Sequence, residues 1–163
     1  ASTRTALEEI NALIERGASS PDSLHVQRTA RFRIAQMRRA AGDANAVGEF
    51  NLAAEELTSQ ASGTAPQTTA ALANVLTARA EYAARDGNTT AAQQDSQRAY
   101  DLLQRVSQSK EAVVLDARMR ALSLLGRNTE ARALAVRLEA AGFRHPDHVR
   151  FLTDHPLGAS EHE

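Results

Sequence analysis

The chain has 163 residues, 42% apolar, 24% charged and 4% aromatic, with a net charge of −1. That length fits one domain with a substantial core, while near-neutrality supplies no broad basic field for nucleic acid. Zero cysteines exclude disulfides and thiolate chemistry without fixing a compartment, and no apolar run reaches the roughly 18–20 residues of a membrane span. The core-forming residues are mainly Ala and Leu, which suit closely packed helices and leave little β-branched or aromatic material for a sheet. The basic residues are eighteen Arg and the single Lys110, a skew we read as a GC-rich bacterial coding bias. The opening ASTRTALEEI has neither an initiator Met nor a signal-peptide pattern, as expected of a fragment or a processed chain.

Eight helices are predicted. The first spans Thr5 to Arg16, with Thr5 and Glu8 at capping-box spacing, a stripe of Leu7, Ile10, Leu13 and Ile14, and a stop at Gly17. Ser20-Pro21 starts the second, which ends near Gly42 and carries Val26, Ala30, Ile34, Met37 and Ala41 on one face. Asp43 caps the third, with Val47, Phe50, Ala54 and Leu57 inward. Residues 59–68, SQASGTAPQT, form the longest break, read as a loop and not as a linker between domains. The fourth carries Leu72, Leu76, Ala80 and Ala83 and stops at Gly87. Asn88 caps the fifth, with Ala92, Ala99, Leu103 and Val106; SQSK at 107–110 precedes the sixth, with Leu115, Met119 and Leu122. Gly126 leads into the seventh, with Ala131, Leu134, Ala135 and Leu138, stopped by Gly142. His145-Pro146 opens a short eighth helix with Val149 and Leu152 inward. The expected organisation is one helical domain over residues 1–156 and a frayed tail at 157–163.

Three turns, AAGDANA, ARDGNTTAA and LLGRNTEA, place glycines at 42, 87 and 126, so a helical hairpin recurs at intervals of 45 and 39 residues. Such intervals mark an α-solenoid, because neither helix of a hairpin can bury its stripe alone. Within the hairpins, Leu115, Met119, Leu122, Gly126, Ala131 and Ala135 follow one pattern of large, small and turn positions. Leu76, Ala80, Ala83, Gly87, Ala92, Ser96 and Ala99 follow it again, as do Ile34, Met37, Ala46, Phe50 and Ala53 with the turn shifted by one residue. In these positions, about two-thirds of the chain, the sequence resembles the tetratricopeptide repeat family. It departs from that family at Arg79 and Arg118, where Leu is usual, and in lacking the terminal Pro. The ending AAGFRHPDHVRFL also resembles the close of helical-repeat segments attached to bacterial serine/threonine kinases and regulators. The resemblance implies an all-α fold, a short right-handed α-solenoid of about eight antiparallel helices stacked as hairpins.

The segment RTARFRIAQMRR, residues 28–39, holds five arginines. At 100° per residue, Arg28, Arg31, Ala35, Arg38 and Arg39 share one side of the second helix, Arg33 flanks the apolar face, and Phe32 reads as packing beneath the first helix. By the resemblance, the outer stripe of each first helix lines a concave groove, here Arg28, Arg31, Arg38 and Arg39, then Asn74, Thr77, Glu81 and Arg85, then Asp116, Arg120 and Ser123. Guanidinium groups suit carboxylates or phosphates, so an acidic peptide or a C-terminal carboxylate is one reading. A solvated face with arginines paired to Asp22, Glu49 or Glu55 is the other. Nucleic acid is disfavoured, because no run of aromatics offers stacking platforms.

The cluster His145, Asp147, His148, Asp154 and His155 is the one stretch with metal-ligand chemistry. It lacks HExxH spacing; His145 reads as the residue before a helix-starting Pro and His148 as exposed. No P-loop, GxSxG or glycine-rich dinucleotide motif occurs, and adjacent pairs such as Glu8-Glu9 and Glu55-Glu56 point apart on a helix. The expectation is therefore a non-enzymatic protein–protein interaction module without cofactor or metal, holding a protein or peptide segment, as part of a larger bacterial regulatory protein. An architectural or self-associating solenoid with an empty groove is the alternative.

Overall fold

The computed structural model describes residues 12, 31–39, 41–60 and 66–157. All regular structure among them is α-helical. Residues 31–39 are helical, followed by α1 (Ala46–Gln60), α2 (Pro66–Arg85), α3 (Thr89–Gln104), α4 (Ala112–Leu124), α5 (Asn128–Ala140) and α6 (Pro146–Asp154). All of the expected first helix except residue 12, Arg28 and most of the tail lie outside the described residues. The chain divides into two compact units, Ala1–Gln60 and Ala61–Glu163, with the boundary inside the expected 59–68 break. Helix fills more of that break than expected, since α1 runs to Gln60 and α2 begins at Pro66. A proline at the first helical position forfeits no intrahelical bond.

In the first unit, Ile34 and Ala35 are buried along with Ala46, Phe50, Ala53, Ala54 and Leu57 of α1. The Phe32 and Phe50 rings meet edge to face, centroids 6.2 Å apart, a favoured aromatic geometry. Ala41, expected inside, is exposed, because the helix has by then given way to the turn at 41–42.

In the second unit, α2 and α3 form one hairpin and α4 and α5 another, with α4 packed beside both α2 and α3. Three residues connect the helices within each hairpin. The turns share one backbone solution. At Gly126 the chain takes φ 74°, its N–H donates to Ser123 O at 2.9 Å, and the following Arg127 N–H reaches back to Leu122 O at 2.9 Å. This six-to-one closure satisfies helix-end carbonyls and requires a left-handed residue, which glycine adopts without a Cβ clash. Gly42, Gly87 and Gly142 repeat it, with Asp43 N–H on Arg38 O, Asn88 N–H on Ala83 O and Phe143 N–H on Leu138 O. The Asn88 side chain accepts from Ala91 N–H at 3.1 Å and so caps α3 as expected.

The core of the last three helices joins Leu115, Met119, Leu122, Ala131, Leu134 and Leu138 to Phe151. The last helix turns differently from the expected phase. His148, read as exposed, is 4% exposed and Phe151 is fully buried, whereas Val149 is 48% exposed and Leu152 half-buried. Nine residues contain too few apolar positions to fix a helical phase, and a buried, hydrogen-bonded histidine competes with Val for the inner face.

Candidate functional site

The described arginines of the 28–39 segment lie along a helix seam in the first unit. Arg31 and Arg38 approach Glu49 of α1 at 3.6 Å each, and Arg38 also approaches Asp43 at 3.7 Å. All four side chains are partly covered. Ala35, between Arg31 and Arg38 on that face, is fully buried, while Arg33 is exposed and donates to Gln36 at 2.9 Å. The solvent face of this helix therefore includes Arg33, and the expected outer stripe faces α1. Arg39 is half-buried.

The remaining expected groove residues divide between surface and interior. Asn74 is half-buried and Arg85 is exposed, reaching Asp154 of α6 at 3.3 Å. Glu81 is 2% exposed and Arg120 5% exposed, with Thr77 and Asp116 also buried. Neither Glu81 nor Arg120 is open to a partner. At Arg120 the cover is built around Asp116. One carboxylate oxygen takes a 2.6 Å bond from Arg120 Nη2, and the other lies 2.7 Å from His148 Nδ1 on α6. The Phe151 ring lies under the Arg120 guanidinium at 5.6 Å, and Phe143 meets His148 edge-on at 5.3 Å. The first-helix stripe expected to line an open groove is thus, at Asp116 and Arg120, covered by α6. The misplaced phase of α6 hid this from the sequence, because an exposed His148 had no reason to contact Asp116.

The two arginines that depart from the repeat pattern have local explanations. Arg79 makes a two-pronged ion pair with Asp95 of α3, both contacts 2.6 Å, and this holds the guanidinium above its ordinary range against the opposing effect of burial. Arg118 caps α3, donating to the carbonyls of Leu103, Val106 and Ser107 at 3.0, 3.4 and 3.3 Å. Burial pushes its guanidinium down from the ordinary range. A Leu has no means of making either contact.

His145 accepts the Asp147 N–H at its Nδ1, 3.3 Å away, and so caps α6. Among the described residues no group of three or more His, Asp or Glu side chains is placed to hold a metal ion. No described helix is long and apolar enough to cross a membrane.

No family model, curated protein or solved structure matches the chain.

One surface feature was absent from the sequence reading. Between α5 and α6 runs an open groove of about 680 Å³, lined among others by Arg132, Ala135, Val136, Arg144, Val149 and Leu152. Val136 is 58% exposed and Val149 48%. The α5 contributors fall at i, i+3 and i+4, one face of a helix. That spacing is present in the sequence at 132, 135 and 136, but there Ala135 reads as part of the inward stripe, and no groove is visible until α6 is placed beside it.

Proposed function

We propose that the chain is a non-enzymatic interaction module: a short α-solenoid of stacked helical hairpins, similar to tetratricopeptide repeats, that holds a segment of a partner protein. One observation carries this reading. The second unit combines hairpins closed by the same glycine turn with outward apolar side chains, Val136 and Val149, on a single groove. The polar residues with the most chemical promise, Asp116, Arg120 and His148, are buried in one hydrogen-bonded cluster centred on Asp116. This distribution suits recognition through shape and apolar contact.

The test begins with the purified chain as bait in bacterial extract. Any retained protein is then purified and titrated against the chain by calorimetry. The expected result is saturable one-to-one binding to a defined protein. A chain that associates with itself and gives no calorimetric signal with any retained protein would support the architectural alternative and sink the proposal.

A further inference from the structure

We infer that α6 is a releasable self-ligand, an autoinhibitory helix seated on a site of α4 and α5 that a partner helix of the same chemistry takes over. That chemistry is an aromatic anchor with a hydrogen-bonding side chain three residues before it and a carboxylate three residues after it. The inference rests on the interaction-module reading and adds to it a covered site, beneath the inward side of α6.

Three side chains at three-residue spacing hold α6. His148 Nδ1 lies 2.7 Å from Asp116 Oδ1 on α4, and Asp154 reaches Arg85 on α2 at 3.3 Å. Between them Phe151 is fully buried in the cluster of Leu115, Met119, Leu122, Leu134 and Leu138. Positions 148, 151 and 154 lie along one side of the helix. Only His148 and Phe151 of the nine residues are buried. A helix of that length does not hold itself in water, so its docking depends on these few side chains.

What α6 covers is complete without it. Asp116 and Arg120 pair with each other on α4 at 2.6 Å, so release of α6 leaves no uncompensated charge. Leu115, Met119 and Leu122 keep Ala131, Leu134 and Leu138 of α5 in the same core. The fit of α6 is also imperfect. The Arg120 guanidinium lies 5.6 Å from the Phe151 ring centre and the His155 ring 4.5 Å from it. Arg120 Nε and His155 Nε2 are both buried without a hydrogen-bond partner. Buried polar atoms are nearly always satisfied. A helix that supplies the same anchor and also an acceptor to Arg120 Nε therefore outcompetes α6.

The test begins with hydrogen exchange of the full chain. Wild-type amides at 148–155 should exchange at least about ten-fold faster than those of Leu115, Met119 and Leu138, through an opening confined to α6. Phe151→Ala, which removes the anchor, should leave α4 and α5 protected. A displayed library copied from residues 145–155 and randomised at 148–155 is then panned on the full-length Phe151→Ala chain. The expected selection is an aromatic residue at the Phe151 position, His, Asn or Gln at the His148 position and Asp or Glu at the Asp154 position. Selected peptides should bind wild type at least about ten-fold more weakly, because there the site is open only part of the time. Their binding to wild type should speed exchange at 148–155. Exchange at 148–155 as slow as in α4, or loss of α4 protection in Phe151→Ala, would make α6 fixed core and overturn the inference. Absence of aromatic enrichment, or binding to wild type with unchanged exchange at 148–155, would also overturn it. Each of these leaves the interaction module to its own titration. A stable dimer of wild-type with Phe151→Ala chains in sedimentation would make a second copy the occupant and overturn the partner helix.

Discussion

The carboxylate of Asp116 connects two helices. It neutralises a buried Arg120 on its own helix and meets His148 on α6. Removing one partner of a buried pair leaves a charge without compensation, at a cost of about 3–5 kcal/mol. Asp116→Ala should therefore lower the unfolding free energy by about that amount in urea titration, and a loss under ~1 kcal/mol would mean that Arg120 finds water or another acceptor. Arg79 and Asp95 form a second such connector across the α2–α3 hairpin. Arg79→Leu, which restores the repeat family's usual residue, should destabilise by about 1.5–3 kcal/mol because Asp95 loses a charged donor. The double change Arg79→Leu/Asp95→Leu should recover most of that loss, since paired apolar replacements are often neutral; an equally unstable double variant would contradict the pairing. Sequence alone showed these arginines as departures. The partners of Arg79 and Arg118 lie 16 and 11–15 residues away, on α3 and in the turn that follows it, and no helical spacing rule connects residues on different helices.

The elements themselves were far easier to read. Glycine at a helix end has a local physical meaning, and 42, 87, 126 and 142 all hold the left-handed backbone, with φ between 70° and 77°. Two glycines separate this role from mere tolerance. Gly126→Ala should cost about 1–2 kcal/mol, the strain of a Cβ in that conformation. Gly48→Ala should instead stabilise by about 0.5–1 kcal/mol, because Gly48 lies inside α1 with open space around the added methyl. Equal effects in thermal melts would contradict the assignment. Before α1, the Asn45 backbone N–H first, then the Asn45 side chain and Arg38, hold the Asp43 carboxyl below its ordinary value of 3.8, against desolvation. A depressed carboxylate stabilises above its unfolded value and loses that contribution as pH falls through its folded value. Carboxyl NMR titration should place Asp43 below 3.8, and a midpoint at or above it would show that the turn at Asp43 to Asn45 does not persist. The phase of α6 was the element-scale failure: His148 carries a polar ring, and only its contact with Asp116 explains why it turns inward.

At the scale of the molecule, helix class was legible and the placement of the candidate surfaces was not. The groove requires α5 and α6 side by side, and the arginine seam requires Glu49 to sit opposite Arg31 and Arg38. Both are tertiary facts. They reverse the priority among surfaces, because arginines engaged with Glu49 must exchange that partner before taking an anionic ligand, whereas Val136 and Val149 are already exposed for apolar contact. The measurement that tests the central claim most directly is sedimentation equilibrium of the purified chain, alone and with the protein it captures. The account predicts a single species near 17.5 kDa alone and a one-to-one complex with the partner. Micromolar self-association that excludes the partner would contradict it and make the chain an assembly element.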